Sequence, residues 1–328
     1  MVNEVTKSRL EGLGSVYRRL AEAAPEGVLT IAEAEVPEQV HQSNAIEWSS
    51  LSLKETESIL TGMTISREVP VREVFEAKNL GRMVSELVAP DGPPALSIET
   101  VLRWHGILLS NIRDDAAGRF RCGKEWVYIG MHIGANPDVV GDWMSVLLAW
   151  YARQASDRAG MPPGSPPWFL DRIARFHLEF ETIHPFVDGN GRMGRVLINQ
   201  QLMALGWPPV ILRNKGKRRD YYPLFDGYVV TEDHHGMSRL LALALQESLH
   251  KRITMLAGHR AVRLSQWAKK AGVSGPSAAN KAKRQTIPAF RLRDVWMIDP
   301  GFAGDPHQWL EDQAGSGKCR EWPTDRRA

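Results

Sequence analysis

Residues 184–195 read His-Pro-Phe-Val-Asp-Gly-Asn-Gly-Arg-Met-Gly-Arg and are the most informative stretch of the chain. Glycines on both sides of a small polar residue let backbone N–H groups approach an anion closely. A helix that begins at this turn points the positive end of its dipole at the same place. Arg192 and Arg195 are three residues apart, so both guanidinium groups lie on one helical face and can bind neighbouring phosphates. This signature segment (residues 184–195) therefore predicts a phosphate-binding loop that carries a base, His184.

The flanking residues place the signature segment between two helices. Upstream, residues 168–183 have apolar side chains at helical spacing. Pro185 ends that helix, because the residue before a proline is disfavoured in the α conformation. Downstream, residues 192–205 are rich in helix formers and stop at Gly206. We therefore expect a loop between two helices, with the second helix starting near the glycines.

Two other interpretations of the glycines explain less. Gly189, Gly191 and Gly194 also spell G-x-G-x-x-G, but that dinucleotide fingerprint requires a preceding strand and an acidic residue about 20 positions later. Here a helix is predicted before the glycines, and the first acidic residue downstream is Asp220. A solvated loop with structural glycines accounts for single residues, but not for the combination of histidine, aspartate, glycine turn and paired arginines.

The signature segment resembles the signature of the Fic family and matches it at every defining position. The resemblance continues through residues 176–183 upstream and 206–209 downstream, and covers roughly residues 45–250. It implies a mainly α-helical bundle with a short β-hairpin flap. It also implies an enzyme that transfers AMP from ATP to a Ser, Thr or Tyr hydroxyl of a target protein.

The resemblance gives each polar residue of the segment a role. His184 is expected to be the general base that takes the proton from the target hydroxyl. Asp188 is expected to bind Mg²⁺, which usually takes only one or two protein carboxylates. Arg192 is expected to neutralise the departing pyrophosphate and Arg195 to hold the γ-phosphate. The full set of expected phosphate-binding residues in the segment is Gly189, Asn190, Gly191, Arg192, Met193, Gly194 and Arg195.

A second motif, Ser43-Asn-Ala-Ile-Glu47, is similar to the inhibitory Ser/Thr-x-x-x-Glu element that precedes many Fic cores. In the family this glutamate pairs with the second arginine of the signature, here Arg195, and so competes with the γ-phosphate. A competitor within the same chain has a high effective concentration. We expect an inhibitory helix around residues 43–60 that carries Ser43 and Glu47, although Trp48 stands where the family usually has glycine. An ordinary capped helix with an exposed glutamate is the alternative.

Residues 118–132 alternate β-branched or aromatic residues around Cys122-Gly-Lys124, which predicts a hairpin that turns at this tripeptide. The stretch resembles the Fic flap, whose edge would align an extended target segment by strand addition. A plain surface hairpin is the alternative. The resemblance also implies nucleotide contacts from four residues of the flap: Ile129, Gly130, Met131 and His132. It implies further nucleotide contacts from the aromatic pair Tyr221 and Tyr222, although aromatic residues of the protein core are nearly as consistent with this pair. No residue that would select adenine is recognisable.

The C-terminal region differs in composition from the rest of the chain. Residues 260–293 contain nine Lys or Arg and no Asp or Glu. Two short helices joined by a glycine turn (264–273 and 276–283) and a β-hairpin (287–298) resemble a winged helix-turn-helix. The basic face of such a module would contact DNA phosphates. Modules of this shape also serve purely for docking.

Length and charge agree with a division of the chain into parts. The chain has 328 residues and a net charge of only +3, so the basic character is local. Its two cysteines, Cys122 and Cys319, suggest neither a disulfide framework nor a metal site. No signal sequence or membrane-length apolar run is recognisable, so we expect a cytoplasmic protein without a membrane partner. We expect an N-terminal helical region (1–95), a catalytic core (96–250), a winged module (255–310) and a mobile tail (311–328).

Adenylyl transfer is not the only function that the resemblance allows. Relatives with this signature also remove AMP from modified targets, and a few use another nucleotide-linked donor. The chain could instead act as a DNA-binding regulator with a nucleotide-sensing core. A homodimer stays open, and the target protein is not identifiable because a flap of this kind reads mainly backbone.

Overall fold

The computed structural model describes residues 2–129, 132–156 and 168–315, and helices make up most of them. This confirms the mainly α class. The helices are α1 (Glu4–Ala23), α2 (Pro25–Ile46), α3 (Leu53–Leu60), α4 (Val71–Leu87), α5 (Ile98–Leu109), α6 (Val140–Ser156), α7 (Trp168–Ile183), α8 (Asn190–Ala204), α9 (Tyr222–Thr231), α10 (His235–Leu256), α11 (Leu264–Lys270), α12 (Gly275–Lys283) and α13 (Pro306–Gly315). The strands are β1 (Tyr128–Ile129), β2 (His132–Ile133), β3 (Val262–Arg263), β4 (Ala289–Leu292) and β5 (Val295–Ile298). None of the described helices combines the length and apolar character needed to cross a membrane.

The chain divides into two compact units. The larger unit contains the described residues between 33 and 241, and the second contains residues 3–32 together with the described residues from 242 onwards. Residues 3–32 were expected to belong to an N-terminal region extending to residue 95. They belong instead with the C-terminal residues, because α1 packs against α13.

In the larger unit, α7 provides the apolar stripe that its sequence predicts. Phe169, Ile173, Phe176 and Phe180 are at most 1% exposed, and burial of each stabilises the fold by about 1.5–3 kcal/mol. The helix packs against α6 and α8 and ends immediately before His184. The core of this unit therefore fixes the position of the signature segment.

Helix α8 begins at Asn190, two residues earlier than the expected start at Arg192. Gly189 is its N-cap and has φ +83°, a left-handed conformation that glycine adopts without steric cost. The glycine turn is thus part of the helix start rather than a linker before it.

The helix expected around residues 43–60 is wrong in its extent, because two helices occupy this range. Helix α2 ends at Ile46, and α3 begins after Ser52, whose side chain forms a capping box with Glu55. Between them Trp48 has φ +70°. The backbone N–H groups of Trp48 and Ser49 donate to carbonyls of the last turn of α2, at 3.2 and 3.1 Å, as in a Schellman helix end.

Glycine is the residue that this helix end favours, because an L side chain is strained at positive φ. Trp48 therefore departs from the family's glycine at a cost in backbone strain. Trp48 is 61% exposed, and the cations of Lys217 and Arg218 lie 3.6 and 4.6 Å from the centre of its ring. These cation–π contacts offset part of the strain.

The predicted hairpin exists, but its turn does not lie at Cys122-Gly-Lys124. Strands β1 and β2 pair antiparallel, with Ile129 opposite His132. Residues 119–125 are instead closed into a loop by an ion pair between Arg119 and Glu125 at 2.7 Å. The backbone around residue 121 is bonded to the signature segment, so it is not free to form a strand.

The second unit contains a helix-turn-helix, α11 and α12, followed by an antiparallel hairpin of β4 and β5. Strand β5 also pairs with β3, which gives the sheet order β3-β5-β4. Arg293 and Asp294 form the hairpin turn, both at positive φ as in a type I′ turn. Helix α13 includes residues 311–315, where a mobile tail was expected, and residues 316–328 lie outside the described part of the chain.

Candidate active site

His184 lies in a tight turn directly after α7 and has φ +51°, which is unusual for a residue other than glycine. Arg121, only 1% exposed, holds this turn in place. Its Nε donates to the carbonyl of His184 at 2.7 Å and its Nη2 to that of Ile183 at 2.9 Å. Its backbone N–H donates to the carbonyl of Pro185 at 3.0 Å. The strained backbone at His184 is thus maintained by a buried guanidinium group.

The imidazole of His184 is arranged as a proton acceptor. Its Nδ1 lies 3.2 Å from the carbonyl of Glu181, and an N–H donated there leaves Nε2 as the basic nitrogen. Burial lowers the pKa of His184 to about 4, although the hydrogen bond to the Glu181 carbonyl opposes this shift. The ring is therefore neutral at physiological pH, as a general base must be.

The signature loop presents the open end of a helix. The Asn190 side chain fixes the loop, because its Oδ1 accepts from the backbone N–H of Phe186 at 2.9 Å and its Nδ2 donates to the Phe186 carbonyl at 2.7 Å. The N–H groups in the first turn of α8 have no acceptor within the helix, and the positive end of the helix dipole lies there. The arrangement suits a bound anion.

Asp188 and Arg192 belong to a network of ion pairs with two residues of α4. Arg192 lies 3.0 Å from Oδ1 of Asp188 and 3.0 Å from Glu76, and its side chain is 4% exposed. Arg72 pairs with Glu76 at 3.0 Å and with Oδ2 of Asp188. Burial opposes ionisation of Asp188, but Arg192 and Arg72 hold its pKa below the usual value. Asp188 is therefore a carboxylate whose two oxygens both face guanidinium groups.

These residues fit Mg²⁺ if one guanidinium moves. A single carboxylate is the kind of protein ligand that Mg²⁺ uses when phosphates and water supply the rest. Arg72 pairs with Oδ2 of Asp188, the oxygen that would coordinate the cation, and 53% of the Arg72 side chain is exposed. It can therefore leave Asp188 without exposing buried surface, whereas Arg192 is buried.

Arg195 is bound by both residues of the Ser43–Glu47 motif. Its Nε donates to the Ser43 hydroxyl at 2.9 Å, and its Nη2 donates to the Ser43 carbonyl at 3.0 Å and to Oε1 of Glu47 at 2.8 Å. A Cβ atom on Gly191 would lie 2.4 Å from the same Oε1. The carboxylate of Glu47 thus lies against the first turn of α8, and it occupies the anion-binding end of that helix.

The end of α2 that carries Glu47 is itself anchored. Lys217 donates to the carbonyls of Ala45 and Ile46 at 2.8 and 2.7 Å, and the Tyr222 hydroxyl donates to that of Ile46 at 2.8 Å. These bonds satisfy carbonyls that a helix end leaves without partners.

Of the other residues expected to contact the nucleotide, some are buried and some lie on the flap. Tyr221 is 5% exposed, and its hydroxyl is 2.8 Å from Nε2 of His177. Met193 is fully buried, so only its backbone can face a ligand. Ile129 and His132 lie on the flap strands, with His132 3.4 Å from Asp226. Gly130 and Met131 lie outside the described residues.

Comparison with known proteins identifies the family. Residues 95–202 match the model of the Fic/DOC family. Protein adenylyltransferase fic-1 of Caenorhabditis elegans is 31% identical over 187 residues, 56% of this chain and 34% of that protein. Protein adenylyltransferase Fic of Drosophila melanogaster is 30% identical over 226 residues, 68% of this chain and 44% of that protein. The chain belongs to the Fic/DOC family.

A solved Fic structure shows the same fold. A Fic-domain-containing signalling protein from Bacteroides thetaiotaomicron superposes with a TM-score of 0.65 at 21% identity, and the match covers 76% of this chain and 97% of that one. The chain spans less than half the length of the two curated relatives above, 34% and 44%.

Beneath the Fic signature lies a buried cluster formed by Glu181 and His177. Burial raises the pKa of Glu181 to about 8 and lowers the pKa of His177 to about 3. Both side chains are therefore neutral at pH 7, which removes the cost of burying charge beside Arg195. Gly194 leaves room for them, because a Cβ there would lie 2.4 Å from Oε1 of Glu181 and 2.8 Å from Cε1 of His177.

We expect the substitution Gly194→Ala to lower the free energy of unfolding by about 1–3 kcal/mol, the usual cost of overpacking a core. Gly227→Ala is a matched control, because Gly227 also lies inside a helix but has no atom within 4 Å of the position that a Cβ would take. It should stabilise the fold by about 0.4–1 kcal/mol. Urea denaturation of both variants measures the difference, and equal effects would show that the cluster can move aside.

Sequence reasoning missed four residues that shape the Fic site: Arg121, Arg72, Glu76 and Lys217. Arg121 lies in the stretch that was predicted to form a hairpin strand, and nothing in its neighbours marks it as buried. Arg72 and Glu76 are spaced as an ordinary surface ion pair on a helix. Their contacts with the signature segment depend on tertiary structure alone.

Proposed function

We propose that the protein transfers AMP from ATP to a hydroxyl group of a target protein. One observation carries this proposal: a neutral imidazole, an ionised carboxylate and an open helix end lie in one loop, at His184, Asp188 and the start of α8. The names of the two curated relatives, both protein adenylyltransferases, support it.

In this reaction, Nε2 of His184 takes the proton of the target hydroxyl as its oxygen attacks the α-phosphorus of ATP. The bond from the α-phosphorus to the bridging oxygen breaks, and pyrophosphate leaves. The first-turn N–H groups of α8 and the guanidinium of Arg192 stabilise the charge on the phosphates. Mg²⁺ held by Asp188 would add its own charge to that stabilisation. Positioning and preorganised charge account for most of the acceleration.

The flap supplies a place for the target. Strands β1 and β2 are only two residues each, and Tyr128 on β1 is 77% exposed. An extended segment of the target can pair with such an edge through its backbone. The hydroxyl to be modified would then be presented to His184.

Glu47 restrains the reaction in the same proposal. Its carboxylate holds Arg195 at 2.8 Å and lies over Gly191, where the phosphates of a productively bound ATP would lie. ATP must therefore displace Glu47 from Arg195 before the γ-phosphate can bind there.

ATP labelled at either the α- or the γ-phosphate tests the activity. Incubated with the full chain, Mg²⁺ and a lysate containing candidate targets, α-labelled ATP should label protein. Label transferred from the γ-position instead would contradict the proposal in favour of a kinase-like reaction. Loss of the label on later incubation without ATP would indicate the reverse reaction, removal of AMP.

We propose DNA binding as a second function, carried by the surface of α12. Ser274 caps this helix, and Ala278 and Ala282 bury one face. The opposite face exposes Asn280, Lys281 and Arg284. A basic, polar face on the second helix of a helix-turn-helix suits the DNA backbone and major groove.

Fluorescence anisotropy with labelled duplex DNA at several salt concentrations tests this second function. Each of Lys281→Ala and Arg284→Ala should lower the salt dependence of binding by about one unit of log–log slope. Lys54→Ala, on α3, is the control. If the DNA affinity did not depend on salt concentration, or if both variants bound DNA as the unmodified chain does, the exposed face of α12 would not be a DNA-binding surface.

A further inference from the structure

Three potential metal ligands meet in the larger unit, away from the signature segment. Asp171 lies in the first turn of α7, His235 is the first residue of α10, and His234 precedes it. One ligand atom from each lies within 4.8 Å of the other two. The twelve residues that follow Asp171 in α7 separate the cluster from the Fic loop by about 18 Å along the helix.

Two polar atoms of this cluster have no partner among the described residues. Oδ1 of Asp171 and Nδ1 of His235 are buried and accept or donate no hydrogen bond there. Buried polar atoms in proteins are nearly always bonded. Two such atoms in one cluster of ligand-type side chains indicate an absent occupant that both would bind.

The surroundings of His235 favour a metal ion as that occupant. Its Nε2 lies 3.9 Å from Oδ1 of Asp233, whose position is fixed by a hydrogen bond from the His235 backbone N–H at 2.8 Å. Metal-binding histidines commonly donate the N–H that faces away from the metal to a carboxylate, and Nε2 of His235 would need to approach Asp233 to about 3 Å to do so. Nδ1, the unpartnered nitrogen, is then the ligand.

A positive charge on the same helix as Asp171 is directed towards other partners. Arg175 lies one turn after Asp171 on α7, but it pairs with Glu179 at 3.7 Å and stacks on the ring of Trp150 at 5.1 Å. Asp171 itself has no ion pair among the described residues, so its charge is available to a cation.

We propose that Asp171, His234 and His235 bind Zn²⁺ or a similar divalent transition metal. Two imidazoles and a carboxylate are the donor set that zinc takes in three-ligand sites, with water as a fourth ligand. Mg²⁺ and Ca²⁺ prefer oxygen ligands alone. A metal here would join the start of α7 to the start of α10, which gives it a structural role separate from the transfer reaction.

Calorimetric titration of the chelator-treated full chain with Zn²⁺ tests this site. We expect about one equivalent to bind, with the dissociation constant raised at least about tenfold by Asp171→Asn and by His235→Ala. His307→Ala is the control, because His307 is an exposed histidine outside the cluster. Co²⁺ should give d–d absorption without a thiolate charge-transfer band, which distinguishes the site from binding at Cys122 or Cys319.

Zinc binding that is absent, or that is equally strong in these variants and in the control, would overturn the proposal. Circular dichroism shows whether each variant is folded. If either is not, the conservative variant His234→Gln decides the matter, because it removes an imidazole and retains a polar side chain. It too must weaken binding at least about tenfold.

Discussion

Replacing His184 by alanine is expected to lower the rate of AMP transfer about 10²–10⁴-fold, the usual contribution of a general base. The hydroxyl of the target is a weak nucleophile until its proton is removed, and the imidazole of His184 is the neutral base in the loop. The affinity for ATP should change little, because the phosphates are held by α8 and the arginines. Single-turnover assays with α-labelled ATP measure the rate, and calorimetry measures the affinity.

The pH dependence provides an independent check on the same residue. Because burial lowers the pKa of His184 to about 4, the imidazole stays neutral until the pH falls to that range. The acid limb of kcat/KM should therefore lie near pH 4, well below the ordinary imidazole pKa near 6.5. Among the charged neighbours of the ring, Arg121 lowers the pKa of His184 further, whereas Glu47 and Asp188 raise it. If the rate of AMP transfer fell by less than about tenfold in the His184→Ala variant, a residue other than His184 would be the general base.

Replacing Glu47 by glycine is expected to raise AMP transfer about 5–150-fold, the range of a typical coupling free energy between competing sites. The substitution removes the carboxylate that binds Arg195 and covers the start of α8. The γ-phosphate can then bind Arg195 without competition. Transfer rates at fixed ATP concentration, compared between the variant and the unmodified chain, give the factor.

Two further variants separate the loss of the Glu47 charge from the general effects of introducing glycine. Glu47→Gln keeps the size of the side chain and should activate as well, because only the ionised group competes strongly for the guanidinium. Glu68→Gly changes an exposed glutamate that lies outside the site and should leave the rate unchanged. Equal rates in the Glu47 variants and the unmodified chain would mean that the contact with Arg195 does not restrain transfer.

The elements that sequence alone predicts are those controlled by local chemistry. Helix α7 follows from an apolar stripe and the proline after its end, and its bounds match the expected ones. The start of α8 follows from the glycine turn to within two residues. In both cases the preference of each residue agrees with the tertiary structure around it.

The remaining features depend on partners that are distant in sequence. Nothing near Arg121 indicates that it binds the carbonyls of His184 and Ile183, which lie more than 60 residues away. The break between α2 and α3 was missed because Trp48 occupies a position where glycine would have signalled a helix end. The predicted position of the hairpin turn, at Cys122-Gly-Lys124, was wrong for a similar reason, since the backbone around residue 121 is bonded outside the flap.

The anchored end of α2 also bears on how fast Glu47 can leave Arg195 and return to it. Lys217 and Tyr222 hold the carbonyls of Ala45 and Ile46, so the backbone beside Glu47 is fixed. The carboxylate itself, with 39% of its side chain exposed, can leave Arg195 by rotation about its own bonds. Such rotations take picoseconds to nanoseconds, whereas helix movements take microseconds or longer. We therefore expect the restraint to equilibrate many times within one turnover, so that the rate follows the concentration of ATP without a lag.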